Sequence, residues 1–220
     1  MARALSKGNC YICGKELTKT GAKRHILTHD YHGENSQKCR LIKIEDPYNK
    51  AYWLYVDIPL TSDLETLDSF LREIWLECCG HMSAFFVGCY DEIDMDMSIS
   101  LIRDGSVLKY EYDFGSTTEL TVSFVGTTIR ESQEEDVRLL IRNKAPEYSC
   151  CQCGKPAAFI CSECIYETDN PFFCEACGKK HFDGEHKFGL PVVNSPRMGV
   201  CGYCGELDVY EFDPAEIKKE

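Results

Sequence analysis

The spacing of apolar and polar residues changes along the middle of this chain, and each change marks an element. Residues 51–58 (AYWLYVDI) are rich in aromatic and β-branched side chains, which predicts a strand. Residues 62–65 (SDLE) have the form of a capping box, and apolar residues recur after them at helical spacing. This stripe predicts a helix with one buried face, formed by Leu64, Leu67, Leu71, Ile74 and Cys78.

Shorter runs with strand character follow the predicted helix. Strands are expected at residues 84–89 and 98–102, and Asp104-Gly105 marks a turn. A last helix is predicted at about residues 133–143 from the spacing of its apolar residues. Together the elements predict an α+β domain with a central mixed or antiparallel sheet and two or three helices. After the turn, apolar residues alternate on an outgoing strand (Leu108, Tyr110, Tyr112, Phe114) and on a returning strand (Leu120, Val122, Phe124).

The chain contains 15 cysteines, and most of them occur in pairs separated by two residues. Two thiolates at this spacing can turn toward one tetrahedral ion, so repeated pairs indicate structural zinc sites. The N-terminus has no apolar segment typical of an export signal, which favours reduced thiolates over disulfides and predicts a soluble, cytoplasmic protein without a membrane partner. The pairs are Cys10/Cys13, Cys150/Cys153, Cys161/Cys164, Cys174/Cys177 and Cys201/Cys204.

The first pair and two histidines downstream have the spacing of a zinc finger with two cysteines and two histidines. The histidines are four positions apart, so both project from one helical face toward the same ion, and His32 is the substitute ligand if the helix continues. Leu17 and Ala22 offer little apolar support, so metal is expected to hold this segment together. The predicted ligands are Cys10, Cys13, His25 and His29.

The intervals between the later ligands are similar to those of B-box-type fingers, in which alternating pairs bind two ions. This resemblance implies one ion held by Cys150, Cys153, Cys174 and Cys177, and a second held by Cys161, Cys164, His181 and His186. In an alternative arrangement, Cys201/Cys204 and Cys150/Cys153 bind one ion as a zinc ribbon. Cys161/Cys164 and Cys174/Cys177 then form an all-thiolate site, and both histidines are free. About three structural zinc ions are expected, with the role of Cys201/Cys204 open.

Charge divides the chain into three predicted segments. Residues 1–40, the zinc-finger module, carry 8 Lys and Arg against 3 Asp and Glu, although the whole chain has a net charge of −12. Residues 41–144 form the α+β core domain, and residues 145–220 form the cysteine-rich zinc module. Because an acidic body repels phosphate backbones, any nucleic-acid contact is expected through residues 1–40 alone.

Two segments of the central region are similar to a known family. Residues 80–85 (GHMSAF) and 108–115 (LKYEYDFG) resemble the Ri-plasmid open-reading-frame-three-like family, also labelled insertion-element passenger proteins. Residues 194–203 (NSPRMGVCGY) and the N-terminal finger also look similar to parts of some members. The resemblance implies a fold and no established activity.

The leading hypothesis is a non-enzymatic zinc protein that docks a protein or a protein–nucleic acid assembly. No catalytic serine, paired carboxylates or open metal position is evident, and Cys78, Cys79 and His81 are interpreted as core or surface residues and not as a nucleophile with its base. The first alternative is a nucleic-acid-binding regulator that acts through Lys19, Lys23 and Arg24. The others are a mobile-element-associated enzyme, suggested by the family label, and an iron redox protein, since all-cysteine sites also hold iron.

Overall fold

A large antiparallel sheet forms the centre of the protein. In the described part of the chain, nine strands make up this sheet, and the predicted α+β fold is confirmed. The strands are β1 (Lys7–Cys10), β2 (Glu16–Thr18), β3 (Ser36–Glu45), β4 (Trp53–Pro59), β5 (Ser83–Val87), β6 (Asp91–Ile93), β7 (Val107–Tyr112), β8 (Thr118–Glu131) and β9 (Arg138–Asn143). The computed structural model describes residues 6–88, 90–132, 136–184, 186–205, 210–215 and 217.

The strand order is β2-β1-β9-β4-β3-β8-β7-β5-β6, and every neighbouring pair is antiparallel. The strands of the N-terminal finger therefore extend the same sheet as the central strands. Gly8 of β1 pairs with Asn143 of β9, across more than half of the chain. Consequently the sheet runs across the boundary predicted near residue 40.

One face of the sheet is covered by helix α2 (Leu64–Leu71) and a π-helical turn (Arg72–Leu76). The Asp63 side chain caps α2, because its carboxylate accepts a hydrogen bond of 2.9 Å from the Thr66 backbone N–H. The predicted apolar stripe packs inward, and Trp75 joins it in the main core. On the other face, helix α1 (Lys19–Ile26) and a 3₁₀ turn (Leu27–His29) lie against the end of the sheet that holds β1, β9 and β4.

Strand β4 is buried along its whole length and carries a charged residue in the interior. Asp57 is fully buried, and its carboxylate accepts from Arg130 Nη1 at 3.0 Å, Arg138 Nη2 at 2.5 Å and Thr128 Oγ1 at 3.2 Å. Two guanidinium groups from β8 and β9 thus satisfy a carboxylate that would otherwise be too costly to bury.

A second, small sheet follows the large one. It consists of β10 (Phe159–Cys161), β11 (Phe172–Phe173) and β12 (Gly189–Pro191), in the antiparallel order β11-β10-β12. Another 3₁₀ turn (Cys164–Tyr166) and helix α3 (Glu175–Phe182) complete this unit, which we call the C-terminal module (residues 148–193). Among the described residues, no helix combines the length and apolar character needed to cross a bilayer.

The segment after the C-terminal module returns to the large sheet. Arg142 Nη2 donates to the Asn194 carbonyl at 2.8 Å, and Ser195 Oγ donates to the Trp75 carbonyl at 2.6 Å. Arg197 is fully buried against the core, where it donates to Asp113 Oδ2 at 2.6 Å. These contacts make residues 194–201 a connecting segment between the C-terminal module and the central domain.

Two elements predicted from the sequence are wrong. The predicted helix at about residues 133–143 is strand β9 over its described part, and residues 133–135 lie outside the described residues. Its helix-like spacing arises because a β-bulge opposite Tyr55 and Val56 places Leu140 and Ile141 in one apolar cluster while Leu139 packs in the other. The strand predicted at residues 98–102 is instead a 3₁₀ turn (Ile99–Leu101).

Candidate metal centres

The N-terminal finger (residues 7–29) brings its four predicted ligands together. Cys10 ends β1 and Cys13 lies in the turn before β2, whereas His25 lies on α1 and His29 in the following 3₁₀ turn. Cys10 Sγ lies 3.7 Å from His29 Nε2, and Cys13 Sγ lies 3.3 Å from His25 Nε2. His32 is not a member of this cluster, because the helical segment ends before it. The four ligand atoms could hold a metal ion.

The spacing of these atoms matches the edges of a tetrahedral coordination shell. Zinc with sulfur at about 2.3 Å and imidazole nitrogen at about 2.0 Å separates two sulfurs by about 3.8 Å and a sulfur from a nitrogen by about 3.5 Å. A disulfide needs sulfurs about 2.05 Å apart. Every cysteine of the described chain is free, so these sulfurs are available as ligands.

The second cluster consists of four cysteines from two parts of the C-terminal module. Cys150 and Cys153 lie in a turn before the small sheet, while Cys174 caps α3 and Cys177 lies in its first turn. Cys153 Sγ lies 3.5 Å from Cys174 Sγ and 3.7 Å from Cys177 Sγ, close to the sulfur–sulfur edge of a zinc tetrahedron.

The same backbone turn holds the cysteine pair in the first and second clusters. Cys10 N–H donates to the Lys15 carbonyl at 2.9 Å, and Cys150 N–H donates to the Lys155 carbonyl at 2.8 Å. The glycine after each second cysteine is left-handed, with φ of +75° at Gly14 and +71° at Gly154. Since glycine adopts this conformation without steric cost, the sequence C-x2-C-G-K forms a tight knuckle at both ends of the chain.

The third cluster combines two cysteines with two histidines. Cys161 ends β10 and Cys164 begins the 3₁₀ turn, while His181 lies near the end of α3. Cys161 Sγ lies 3.3 Å from His186 Nδ1, and Cys164 Sγ lies 3.5 Å from His181 Nε2. Phe173 stacks on the His181 ring with centroids 4.1 Å apart and fixes its orientation. The structure thus groups the later ligands in the alternating arrangement that the B-box-like intervals implied.

Hydrogen bonds favour the thiolate form of one cysteine of the knuckle pair in each cluster of the C-terminal module, whereas the pKa of Cys164 and of Cys177 is raised. The Cys174 backbone N–H is the main cause that lowers the pKa of Cys150 to about 6. Burial raises the pKa of Cys161, but the Cys164 backbone N–H and the His181 imidazole outweigh it and bring the pKa to about 7. Because the thiolate is the form that binds metal, this local environment is suited to coordination.

A fourth cluster was missed by the sequence analysis. Cys78, Cys79, His81 and Cys201 place one ligand atom each within 4.8 Å of the others. Cys201 therefore separates from its predicted pair mate Cys204, which is exposed and belongs to none of the clusters in the described chain. The signal in the sequence is a C-C-x-H motif, which lacks the familiar two-residue spacing and needs a distant cysteine to complete it.

This chain is similar to known proteins over part of its length. No family model matches it. A yippee-like protein from Schizosaccharomyces pombe is 32% identical over 73 residues, which are 33% of this chain and 49% of that protein. The chain thus spans about half the length of the curated relative that it matches. A protein of unknown function from Methanosarcina mazei Go1 has a similar structure, with a TM-score of 0.42 and 15% identity over 54% of this chain and 75% of that one.

Proposed function

We propose that this protein is a zinc-binding interaction module in which the ions are structural. The observation that carries this proposal is that the three predicted clusters each supply four ligand atoms at tetrahedral spacing. A site with four protein ligands leaves no position for a reactive water, whereas catalytic zinc sites keep one open. The closed clusters therefore support an architectural role and not catalysis.

The small apolar core of the C-terminal module supports the same role. Its buried cluster contains only Cys161, Cys164 and Phe173 among the described residues, with Cys177 and Phe182 packed partly against it. Two of the three buried members are themselves ligands, so little burial remains to stabilise the unit without metal. A structural zinc ion contributes about 10–16 kcal/mol of apparent binding free energy, which is ample compensation.

Two exposed aromatic residues on the C-terminal module support a docking role. Tyr166 is 77% exposed and Phe188 is 70% exposed, and both flank the loop that carries Cys161 and Cys164. Aromatic side chains are enriched at protein interfaces, and the metal cluster holds this loop in a fixed shape. The partner is a protein or a protein–nucleic acid assembly that buries these rings.

Elemental analysis together with limited proteolysis tests the structural role. The purified protein is expected to contain zinc and to be colourless, and removal of metal with a chelator should open the C-terminal module to protease. Iron in place of zinc, with its visible absorption, would support an electron carrier instead. A metal-free protein with unchanged protease resistance would refute the proposal.

Pull-down from the native host tests the docking role. Tyr166→Ala/Phe188→Ala should lose partners that the wild-type protein retains. Tyr48→Ala is the matched control, since Tyr48 is 79% exposed but lies on the central domain. Equal loss of partners in the control, or none in the double variant, would show that the C-terminal module is not the docking surface.

Nucleic-acid binding is the second candidate function, and the finger helix offers one observation in its favour. Lys23 and Arg24 are exposed neighbours on α1, whereas Lys19 is held by Glu45 at 2.8 Å. Salt-dependent binding should therefore weaken in Lys23→Ala/Arg24→Ala and change little in Lys19→Ala. Binding that is equal in all three proteins would exclude the finger helix as the contact.

A further inference from the structure

We propose that Cys78, Cys79, His81 and Cys201 form a fourth zinc site, which fastens the connecting segment (residues 194–201) to the central domain. This site does not depend on the other three clusters, because it uses none of their residues and lies between different elements. The first three ligands follow the π-helical turn on the main core, and the fourth lies 120 residues beyond His81.

The sulfur–sulfur distances within the cluster match a coordination shell, and the imidazole lies closer to the sulfurs than the edge of that shell. Cys79 Sγ lies 3.7 Å from both Cys78 Sγ and Cys201 Sγ, which is the sulfur–sulfur edge expected around zinc. His81 Nε2 lies 2.9 Å from Cys79 Sγ and 3.2 Å from Cys201 Sγ. One imidazole nitrogen therefore faces two sulfurs at once, an arrangement that a single metal ion explains and a single hydrogen bond does not.

The backbone at Cys201 provides a second, independent observation. Its φ is +50°, one of two positive φ values at non-glycine residues in the described chain. A non-glycine residue seldom adopts this left-handed conformation, and such strain persists where surrounding interactions fix it. The conformation turns the sulfur toward Cys79 and His81, so a bond to a shared ion supplies the interaction that holds it.

A buried arginine completes the surroundings of the site. Arg197 Nη2 lies 3.5 Å from Cys78 Sγ and donates to Asp113 Oδ2 at 2.6 Å. Asp113 Oδ2 also lies 3.6 Å from His81 Nε2, so a carboxylate and a guanidinium that pair with each other both border the site. The guanidinium donates to the Cys78 sulfur from this position. Groups that hydrogen-bond metal ligands in this way raise metal affinity.

The consequence is a crosslink between two parts of the protein. Without it, the connecting segment is held by polar contacts such as those of Ser195 with the Trp75 carbonyl and of Arg197 with Asp113. The ion would add a bond at the far end of that segment, where Cys201 is exposed. The C-terminal module would then keep a fixed position relative to the large sheet.

Counting zinc by native mass spectrometry tests this site. Wild-type protein should bind four ions, and Cys79→Ser/Cys201→Ser should bind one fewer. Cys151→Ser/Cys204→Ser is the matched control, because it also removes two exposed cysteines but none of the clustered ones, and it should match the wild-type count. A double variant that keeps the wild-type count overturns the proposal. Failure of the other clusters would instead lower the count in all three proteins equally.

Alkylation of the wild-type protein provides a test that needs no substitution. Cys201 and Cys204 are both exposed and three residues apart, but only Cys201 belongs to the cluster. Cys201 should react roughly tenfold more slowly than Cys204 until a chelator is added, since a metal-bound thiolate is shielded from the reagent. Equal rates before chelation, or a disulfide between Cys79 and Cys201, would overturn the proposal.

Discussion

Replacement of Arg197 by alanine should destabilise the protein by about 3–5 kcal/mol, the usual cost of removing one partner of a buried ion pair. The Arg197 side chain is fully buried and donates to Asp113 Oδ2 at 2.6 Å and to Thr118 Oγ1 at 3.0 Å. Truncation leaves the Asp113 carboxylate, whose side chain is 8% exposed, without its cation. The guanidinium also lies 4.7 Å from the centre of the Tyr112 ring. That contact adds about 0.5–2 kcal/mol, so the ion pair dominates the loss.

Urea unfolding followed by tryptophan fluorescence measures this loss. Zinc is kept at a fixed excess, because bound metal contributes to the apparent stability. Arg103→Ala is the matched control, since Arg103 is exposed and its replacement should change the free energy of unfolding by less than about 0.5 kcal/mol. A double-mutant cycle with Asp113→Ala separates the ion pair from the lost packing. A loss below about 1 kcal/mol for Arg197→Ala, or additive losses in the cycle, would refute the reasoning.

Three further predictions concern pH, backbone conformation and metal. Burial raises the pKa of Glu45, but hydrogen bonds from Lys19 and Lys43 outweigh it and lower the pKa from 4.5 to about 2. The ionised Glu45 carboxylate contributes its full stabilisation above pH 4.5 and loses it as the pH falls toward 2. The free energy of unfolding should therefore decrease less steeply with falling pH in Glu45→Gln than in the wild-type protein. Equal slopes in the two proteins would contradict this. Gly154→Ala should cost about 1–2 kcal/mol in thermal unfolding because φ is +71°. Gly21→Ala, in the first turn of α1, should instead stabilise the protein by about 0.4–1 kcal/mol. Chelation should expose the C-terminal module to protease before the N-terminal finger, and mass spectrometry of the fragments identifies the order.

Local patterns in the sequence predicted the central elements well. The run at residues 51–58 corresponds to β4, and the stripe after residue 62 corresponds to α2, because burial on one or both faces determines which positions are apolar. Strand β9 has a helix-like pattern because apolar neighbours pack on both of its faces and a bulge breaks the period of two. Those neighbours are distant in sequence, so no local window contains the information.

The same distinction applies to the metal ligands. In the first three clusters the ligands come in pairs separated by two to four residues, on a knuckle, a turn or a helix, so spacing alone indicates them. The fourth cluster joins Cys79 to Cys201, 122 residues away, through the path of the connecting segment along the core. Only the three-dimensional structure separates Cys201 from Cys204 and gives it other partners.

The two ends of the chain hold their ligands in different surroundings, and this difference determines what metal must contribute at each. Sequence reasoning found little apolar support for the finger, but Cys10, Ala22 and Ile26 pack with Trp53 and Ile141 of the large sheet. Backbone pairing of β1 with β9 adds hydrogen bonds that need no metal. The C-terminal module has a core made largely of its own ligands and a separate three-stranded sheet. Tyr11 N–H donates to the Leu140 carbonyl of the large sheet, whereas Cys151 N–H donates to the Phe172 carbonyl of the small sheet. Because the large sheet has its own core and the small sheet depends on the ligands for its core, loss of metal should loosen the finger but unfold the C-terminal module.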